Sequence, residues 1–294
     1  WWARLAPYAL SWDCHLSGVQ WSGAEAEEVN CGGDWLAPEL KVTTLHVELY
    51  QGQLDIRAGL DVATRALNLS LSSNVDPHKI SPFLTEGARR WLAPFAWEKP
   101  PELKGDVSLV LPAWTNRQPD WHAEVQPTLR LQAEFKIEGG GAYRDVAFTA
   151  AQSHILYSNM VWHLPDLTVT RPEGRLEAAL DASDRTKDFY FRIGSTLDVR
   201  ALRPLLEPGQ QKGFDLLTFT EPPVIDAEIR GCWQDPELIG IKGRVALTNF
   251  TFRGESASGL QTAFDYTNRF LLITNPRLQR GGEQLRADGL GVDF

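Results

Sequence analysis

The chain repeats its own sequence at an interval of 122 residues, and this repeat limits the folds that are open to it. Asp76 and Asp198 are separated by this interval, and so are Pro82 and Pro204. Four further pairs keep it: Gly52 with Gly174, Leu54 with Leu176, Pro100 with Pro222, and Pro101 with Pro223. Internal repetition at a fixed interval indicates that one structural unit is built more than once.

Apolar and polar side chains alternate along most of the chain between these repeated positions. Leu54, Ile56 and Leu60, for example, are interleaved with Asp55 and Arg57. A period of two is typical of a strand with one apolar face, and such strands form antiparallel sheets that are wet on one side. The sequence therefore predicts an all-β fold. The expected architecture is a long curved antiparallel meander sheet (a β-groove), built of repeats of about 120 residues and punctuated by short helices.

Two related segments interrupt the alternation, at 74–86 and 195–207. In the second, an apolar run with helical spacing follows Asp198, which is predicted to cap a short helix. Pro204 lies inside that run and limits the helix to one or two turns. Such a segment either plugs the end of the sheet or forms a lid over a cavity, and the sequence leaves both interpretations open.

The repeat predicts one continuous sheet of about two and a half units, which is a piece of a longer chain. Residues 1–38 are expected to end a preceding repeat, residues 39–160 to form the first β-groove repeat, and residues 161–294 to form the second and begin a third. Within the first repeat, the segment 120–125 is predicted to be a strand. The three glycines at 139–141 are predicted to form a turn between two strands.

Composition narrows the classes of function. The net charge is −9, and both signs are spread along the strands, so no nucleic-acid-binding patch is expected. No stretch approaches the ~18–20 apolar residues that a membrane-spanning helix needs. Cys14, Cys31 and Cys232 fit neither a CxxC motif nor a metal set. Cys14 and Cys31 could be joined across a hairpin, but the sequence favours free, buried thiols.

Residues with catalytic or metal-binding chemistry do not form a known motif. The six histidines are scattered without an HExxH pattern: His15, His46, His78, His122, His154 and His163. The segment GESASG at 254–259 has Ser258 where a nucleophile elbow requires glycine. The three consecutive glycines lack the following Lys-Ser/Thr of a phosphate-binding loop. We therefore expect no enzyme, no cofactor and no metal site.

Four consecutive segments of the second repeat resemble one protein family. They are GRLEAALD at 174–181, TLDVRALRPLL at 196–206, PPVIDAEIRG at 222–231 and IKGRVALTNFTFRG at 241–254. This succession is similar to the AsmA-like proteins of diderm bacteria, including the TamB-like and YhdP-like members with repeating β-groove units. The resemblance covers residues 39–294 and lies in the pattern of strands and repeats.

The resemblance implies a periplasmic bridge for lipid transport, anchored in the inner membrane through a segment outside this chain and reaching toward the outer membrane. Its partners would be phospholipid or other acyl lipids, carried along an apolar groove, and components of both membranes. The alternating apolar residues are the candidate lining of that groove: Leu54, Ile56, Leu60, Leu69, Leu71, Leu131, Phe135, Phe148, Leu176, Leu180, Phe189, Phe191, Ile193, Ile225, Ile229, Val245, Leu247, Phe264, Leu271 and Ile273. A charge introduced at Phe191 or Ile193 is predicted to block transport and leave folding largely intact.

Two other functions also fit alternating strands. A transmembrane β-barrel would turn the apolar face toward lipid, although the bulky segments after 74 and after 195 are too large for short turns. A water-soluble β-sandwich, acting as a binding or adhesion module, would pack two apolar faces ~10 Å apart and bind no lipid. The groove is favoured because an apolar face that a few short helices cannot cover marks a binding surface.

Overall fold

The computed structural model describes residues 2–21, 23–205 and 217–293. Among them, nineteen strands form one long antiparallel sheet that does not close on itself. The strands are β1 (Ala9–Trp21), β2 (Ala24–Leu36), β3 (Glu39–Leu49), β4 (Gly52–Asp61), β5 (Ala66–Ser73), β6 (Phe95–Trp97), β7 (Glu102–Val110), β8 (Arg130–Tyr143), β9 (Val146–Ser158), β10 (Val161–Arg171), β11 (Gly174–Ser183), β12 (Asp188–Ser195), β13 (Leu217–Phe219), β14 (Val224–Cys232), β15 (Asp235–Phe252), β16 (Glu255–Thr267), β17 (Phe270–Arg280), β18 (Glu283–Arg286) and β19 (Gly289–Asp293).

The helices in this part of the chain are short. They are α1 (Glu86–Leu92), α2 (Trp121–Glu124) and the 3-10 helices Trp2–Arg4, Ser81–Phe83, Gln126–Thr128 and Val199–Leu205. None of the helices in the described ranges has the length and apolar composition needed to span a membrane. The predicted all-β fold, with one long antiparallel sheet and short helices, is confirmed.

Six consecutive strands recur with the same lengths after 122 residues. The bounds of β2 to β7 reappear, shifted by this interval, as the bounds of β9 to β14. Thus Gly52–Asp61 corresponds to Gly174–Ser183, and Glu102–Val110 corresponds to Val224–Cys232. Since side chains alternate along every strand, equivalent residues also occupy equivalent faces. The repeat in the sequence is therefore a structural repeat of six strands.

The two copies diverge after their sixth strand. β7 is followed by the irregular segment 111–129, which contains α2, whereas β14 leads through residues 233–234 into β15. The prediction of a strand at 120–125 is wrong, because this segment consists of α2 and the residues that cap its two ends. Asp120 accepts hydrogen bonds from the backbone N–H groups of His122 and Ala123, both at 3.0 Å, and so caps the helix.

The predicted turn at 139–141 is also wrong. β8 continues through the three glycines to Tyr143, and Arg144 and Asp145 form the turn into β9 with φ of 45° and 66°. Gly139 and Gly140 have φ of 85° and 97°, a region that favours glycine. Glycines with positive φ inside a strand are typical of a β-bulge. Because glycine is also common in turns, the sequence alone does not separate the two.

The fourth strand of each copy ends in the same way, in what we term the strand-end motif. It comprises residues 73–80 with β6 in the first copy, and residues 195–202 with β13 in the second. Ser73 Oγ accepts a hydrogen bond from the N–H of Val75, and Ser195 Oγ accepts one from the N–H of Leu197, both at 3.1 Å. Val75 and Leu197 are only 4% and 2% exposed, so the motif buries an apolar residue at the strand end.

An aspartate continues the motif in both copies. Asp76 accepts from the N–H of His78 at 3.0 Å, and Asp198 accepts from the N–H of Arg200 at 2.9 Å. In the second copy the donor, Arg200, lies in the first turn of the 3-10 helix Val199–Leu205, so Asp198 accepts from the start of the helix as predicted. The end of that predicted segment, 206–207, lies outside the described residues.

A glycine at the start of the preceding strand lets the motif approach closely. The backbone N–H after Gly52 donates to Asn74 Oδ1 at 2.6 Å, and the N–H after Gly174 donates to Thr196 Oγ1 at 3.0 Å. A Cβ on Gly174 would lie 2.2 Å from the carbonyl oxygen of Thr196, and a Cβ on Gly52 would lie 2.7 Å from Cα of Val75. Both positions therefore require glycine for lack of space.

The larger side chains of the motif differ between the copies. In the first, the ring of His78 stacks on Trp97 at 4.5 Å, and the indole N–H donates to the aspartate at 3.1 Å. In the second, the Arg200 guanidinium lies 4.5 Å from the centre of the Phe219 ring and donates to Asp198 at 2.7 to 3.2 Å. These hydrogen bonds lower the pKa of the Asp198 carboxyl.

The chain divides into two compact units. The first unit contains residues 1–139 and 153–162, and the second contains residues 140–152 and 163–294. In the first unit, Cys14 on β1 lies directly opposite Cys31 on β2. These two cysteines and Cys232 are free thiols, but none of them is buried as predicted: Cys14 is exposed and the others are half-buried.

Candidate functional site

In the first unit, one face of the sheet carries apolar rows that run across neighbouring strands. Residues directly opposite each other on paired strands lie on the same face. The strand registers join three rows: Leu16, Val29, Val47, Leu54, Ser73, Leu103 and Phe135; then Cys14, Cys31, Leu45, Ile56, Leu71, Gly105 and Ala133; then Trp12, Gly33, Val42, Ala58, Leu69, Val107 and Leu131. We refer to this surface, with Leu60 and its neighbours in the next row, as the apolar face of the first unit.

The second unit carries equivalent rows across β11, β12 and β14 to β19. They are Leu176, Ser195, Ile225, Val245 and Thr262; then Ala178, Ile193, Ala227, Gly243, Phe264, Ile273 and Leu290; then Leu180, Phe191, Ile229, Ile241, Tyr266, Leu271 and Val292. We refer to this surface as the apolar face of the second unit. No charged residue occurs in any of these rows.

The registers therefore bring together nearly all of the residues predicted to line a groove. Leu54, Ile56, Leu60, Leu69, Leu71, Leu131 and Phe135 share the apolar face of the first unit. Leu176, Leu180, Phe189, Phe191, Ile193, Ile225, Ile229, Val245, Leu247, Phe264, Leu271 and Ile273 share that of the second. Phe148 lies on β9, where it is buried. Their role in binding lipid stays a prediction.

Most of these side chains remain partly in contact with water. Seventeen of the twenty are half-buried, and the other three, Phe148, Phe189 and Leu247, are 9%, 7% and 9% exposed. A residue enclosed between two packed layers would lose nearly all of its accessible surface. The intermediate burial is that of side chains which contact their neighbours along the sheet and keep one side uncovered.

Charged side chains lie on the opposite face, where they pair both across strands and along one strand. Lys242 Nζ on β15 lies 3.0 Å from Glu228 Oε2 on β14, and its hydrogen bond lowers the pKa of the Glu228 carboxyl. Along β8, Lys136 Nζ lies 2.5 Å from Glu138 Oε1, which raises the pKa of the Lys136 ammonium. These pairs place full charges away from the apolar rows.

Aromatic side chains enclose one end of the apolar face of the second unit. The Phe189 ring lies 4.2 Å from the Trp233 ring and 5.3 Å from the Phe191 ring. Trp233 itself is 60% exposed, so it covers Phe189 while leaving its own outer side in water. Phe191 is consequently more accessible than Phe189, two residues away on the same face.

Sequence reasoning missed the contribution of β1 to the apolar face of the first unit. Leu10, Trp12, Cys14 and Leu16 alternate with polar residues, and they occupy successive apolar rows. The signal was present as a period of two, but glycines and short polar stretches around β1 obscured it. Ile241 in the second unit was missed because Gly240 precedes it and Gly243 interrupts the apolar alternation two residues later.

Histidines pair with acidic or amide side chains on the opposite face. His46 Nδ1 lies 2.7 Å from Asp55 Oδ1, and this hydrogen bond raises the pKa of the imidazole. His15 Nδ1 lies 2.6 Å from Asn30 Oδ1, and His163 Nδ1 lies 2.5 Å from Asp181 Oδ1. Within the described ranges, no three His, Cys, Asp or Glu side chains are placed to hold a metal ion.

Comparison of the chain with protein-family models, with curated proteins and with solved structures finds no match.

Proposed function

We propose that this chain binds acyl lipids along the apolar faces of its sheet and serves as part of a bridge for lipid transport between two membranes. In this proposal it acts in the periplasm, as the sequence resemblance to AsmA-like proteins implies, and it performs no catalysis. Phospholipid is the proposed cargo, and components of the inner and outer membranes are the proposed partners.

One observation carries the proposal: apolar rows without a charged residue cross up to seven paired strands, and their side chains are only half-buried. Water-soluble proteins seldom leave continuous apolar surfaces of this kind uncovered unless something binds there. An acyl chain gains ~0.8 kcal/mol for each CH₂ group that it buries, and it needs no specific polar contact. Rows that continue from strand to strand suit a ligand that slides rather than one held at a fixed point.

The first test is to identify what co-purifies with the chain. The protein would be expressed in a bacterial periplasm, purified without detergent and analysed by native mass spectrometry. We expect several phospholipid molecules per chain, because each unit carries its own apolar face. A stable monomer that retains no lipid would contradict the proposal and favour a lipid-free binding module.

The second test places a charge on the apolar face. Ile193 lies between Ala178 and Ala227, whose small side chains leave room for a glutamate. We expect Ile193→Glu to reduce bound phospholipid about tenfold, because a carboxylate in the path of an acyl chain must be desolvated. The matched control is Thr248→Glu, which adds the same charge at an exposed position on the other face of β15.

Both variants would be compared with the parent by circular dichroism and urea unfolding. Retained structure with lipid lost only in Ile193→Glu supports the proposal. Unfolding of Ile193→Glu alone would mean that the apolar face is a closed structural core, and equal lipid content in all three proteins would mean that lipid binds elsewhere.

A further inference from the structure

A cavity of about 740 Å³ crosses six strands of the first unit. Each strand contributes three consecutive residues to it: 41–43, 57–59, 68–70, 106–108, 130–132 and 156–158. The strand registers place the first five triplets side by side at one level of the sheet. The cavity is therefore a band that runs across the strands.

The cavity opens on the face opposite to the apolar rows. The outer residues of the triplets form two rows of the other face: Lys41, Gly59, Asn68, Ser108 and Arg130; then Arg57, Ser70, Asp106 and Gln132. Side chains of the flanking apolar rows, such as Leu60, Leu67, Ile56 and Leu71, do not line it. We call this feature the polar trough.

Positive charge predominates in the polar trough, although the whole chain carries a net charge of −9. Lys41, Arg57 and Arg130 line it, together with one carboxylate, that of Asp106, which accepts a hydrogen bond from Ser70. Lys41 Nζ is paired with Glu39 Oε2 at 2.6 Å, so the unpaired positive charge is that of the two arginines. Among the described residues, Arg57 and Arg130 have neither an ion-pair partner nor a hydrogen-bond partner. Two guanidinium groups, each with five N–H donors, are thus available to a ligand.

The spacing of the cations sets the length of a matching ligand. Arg57 and Arg130 are three strands apart, which corresponds to ~14 Å at the usual separation of ~4.8 Å between strands. Lys41 and Arg130 are four strands apart, or ~19 Å. No single phosphate or carboxylate spans such a distance, so a ligand that uses both ends must be extended.

The floor between the cations is uncharged apart from Asp106, and it combines hydrogen-bonding groups with apolar residues at the centres of the triplets, such as Ala58, Leu69 and Val107. Asn68, Ser108 and Gln132 offer donors and acceptors, which match the hydroxyl groups of sugars. At Gly59 on β4 a Cβ would meet nothing within 4 Å, so the trough is open beside Arg57. We propose that the polar trough binds an oligosaccharide that carries anionic substituents, with its charged groups held by Arg57 and Arg130.

The proposal is tested with a fluorescently labelled heparin tetrasaccharide, whose binding is followed by fluorescence anisotropy at about 50 mM NaCl, where screening is weak. We expect the double variant Arg57→Gln/Arg130→Gln to weaken binding at least about tenfold. The matched control, Arg244→Gln/Arg277→Gln, removes the same charge from exposed strand positions of the second unit and should change affinity by less than about twofold.

A third variant alters shape without altering charge. Gly59→Trp would fill the trough between Lys41 and Asn68, beside Arg57, from a position where a Cβ meets nothing, and we expect it to weaken binding by a similar factor. Absence of binding by the parent protein would overturn the proposal. Equal weakening in both arginine pairs would also overturn it, because binding would then follow net charge. Unchanged affinity in Gly59→Trp would exclude the trough as the site.

Discussion

The two strand-end motifs hold the same backbone with different side chains. In both, a serine and an aspartate accept hydrogen bonds from N–H groups two residues later, and a glycine faces the turn from the neighbouring strand. The side chains stacked against the end of the sheet have changed from His78 and Trp97 to Arg200 and Phe219. The small residues therefore keep the same backbone geometry in both copies, while two chemically different planar pairs pack against it.

The largest expected difference between the copies concerns their glycines. We expect Gly174→Ala to lower the free energy of unfolding by about 3 kcal/mol and Gly52→Ala by about 1–2 kcal/mol, because overpacking against backbone cannot be relieved by a side-chain rotation. The contact is shorter at Gly174, 2.2 Å against 2.7 Å. Urea unfolding would measure both, with Gly194→Ala as the control, since a Cβ there meets nothing within 4 Å. Similar midpoints for Gly174→Ala and Gly194→Ala would contradict this account.

The serines should show a smaller difference in the same direction. Ser195 is 8% exposed, whereas Ser73 is half-buried. Replacing Ser195 with alanine leaves the N–H of Leu197 without its acceptor in a dry site, which costs about 2 kcal/mol. For Ser73→Ala, we expect about 1 kcal/mol, because water can reach the N–H of Val75 more easily. Thermal unfolding of the two variants would detect the difference, and a larger loss in Ser73→Ala would reverse the comparison.

Exchange of the stacked pair tests whether the two chemistries are equivalent. Trp97→Phe removes the indole donor to Asp76 and is expected to cost about 1 kcal/mol. Adding His78→Arg should recover at least half of this loss, since the guanidinium can then bond the aspartate as Arg200 does in the second copy. A double-mutant cycle gives the coupling between the two positions, expected at about 0.5–1 kcal/mol. A coupling of zero would show that the pairs are not interchangeable.

The smallest expected effect is a dependence on pH that is specific to the second copy. The hydrogen bonds from Arg200 lower the pKa of Asp198 in the folded state below its unfolded value of about 3.9. The stabilisation is therefore complete above the unfolded pKa and is lost as the pH falls through the folded pKa. We expect Asp198→Asn to be less stable than the parent by under about 1 kcal/mol near pH 7. The difference should disappear in strong acid, as measured by urea unfolding at a series of pH values.

Much of the fold could be predicted because each strand carries its own signal. The period of two assigns residues such as Leu54 and Ile56 to one face without knowledge of the partner strand, and the interval of 122 residues identifies equivalent strands. The segment 120–125 misled this reasoning because Trp121 and Ala123 also alternate with polar residues. There, capping by Asp120 decided the local structure, and capping is a property of one side chain rather than of a period.

The sequence predicted which residues share the candidate site, but it did not predict how deeply each side chain is buried. The alternation places Phe189 and Phe191 on the same face, yet Phe189 is buried and Phe191 is half-buried. That difference depends on Trp233, which lies more than forty residues later and reaches Phe189 through the turn between β14 and β15. The polar trough could not be predicted from the sequence either. Arg57 and Arg130 are far apart in the chain, and only the register of four strands brings both of them to one cavity.

The equal spacing of the recurring strands determines how a chain of this kind can change in length during evolution. A recombination that joins residue 61 directly to residue 184 removes one whole period, and every strand that remains still meets a neighbour of the type it had before. A deletion that is longer or shorter by one residue and ends within a strand would turn the apolar side chains in the rest of that strand to the wrong face. Whole periods are thus the increments in which the gene can grow or shrink while every strand of the sheet stays paired.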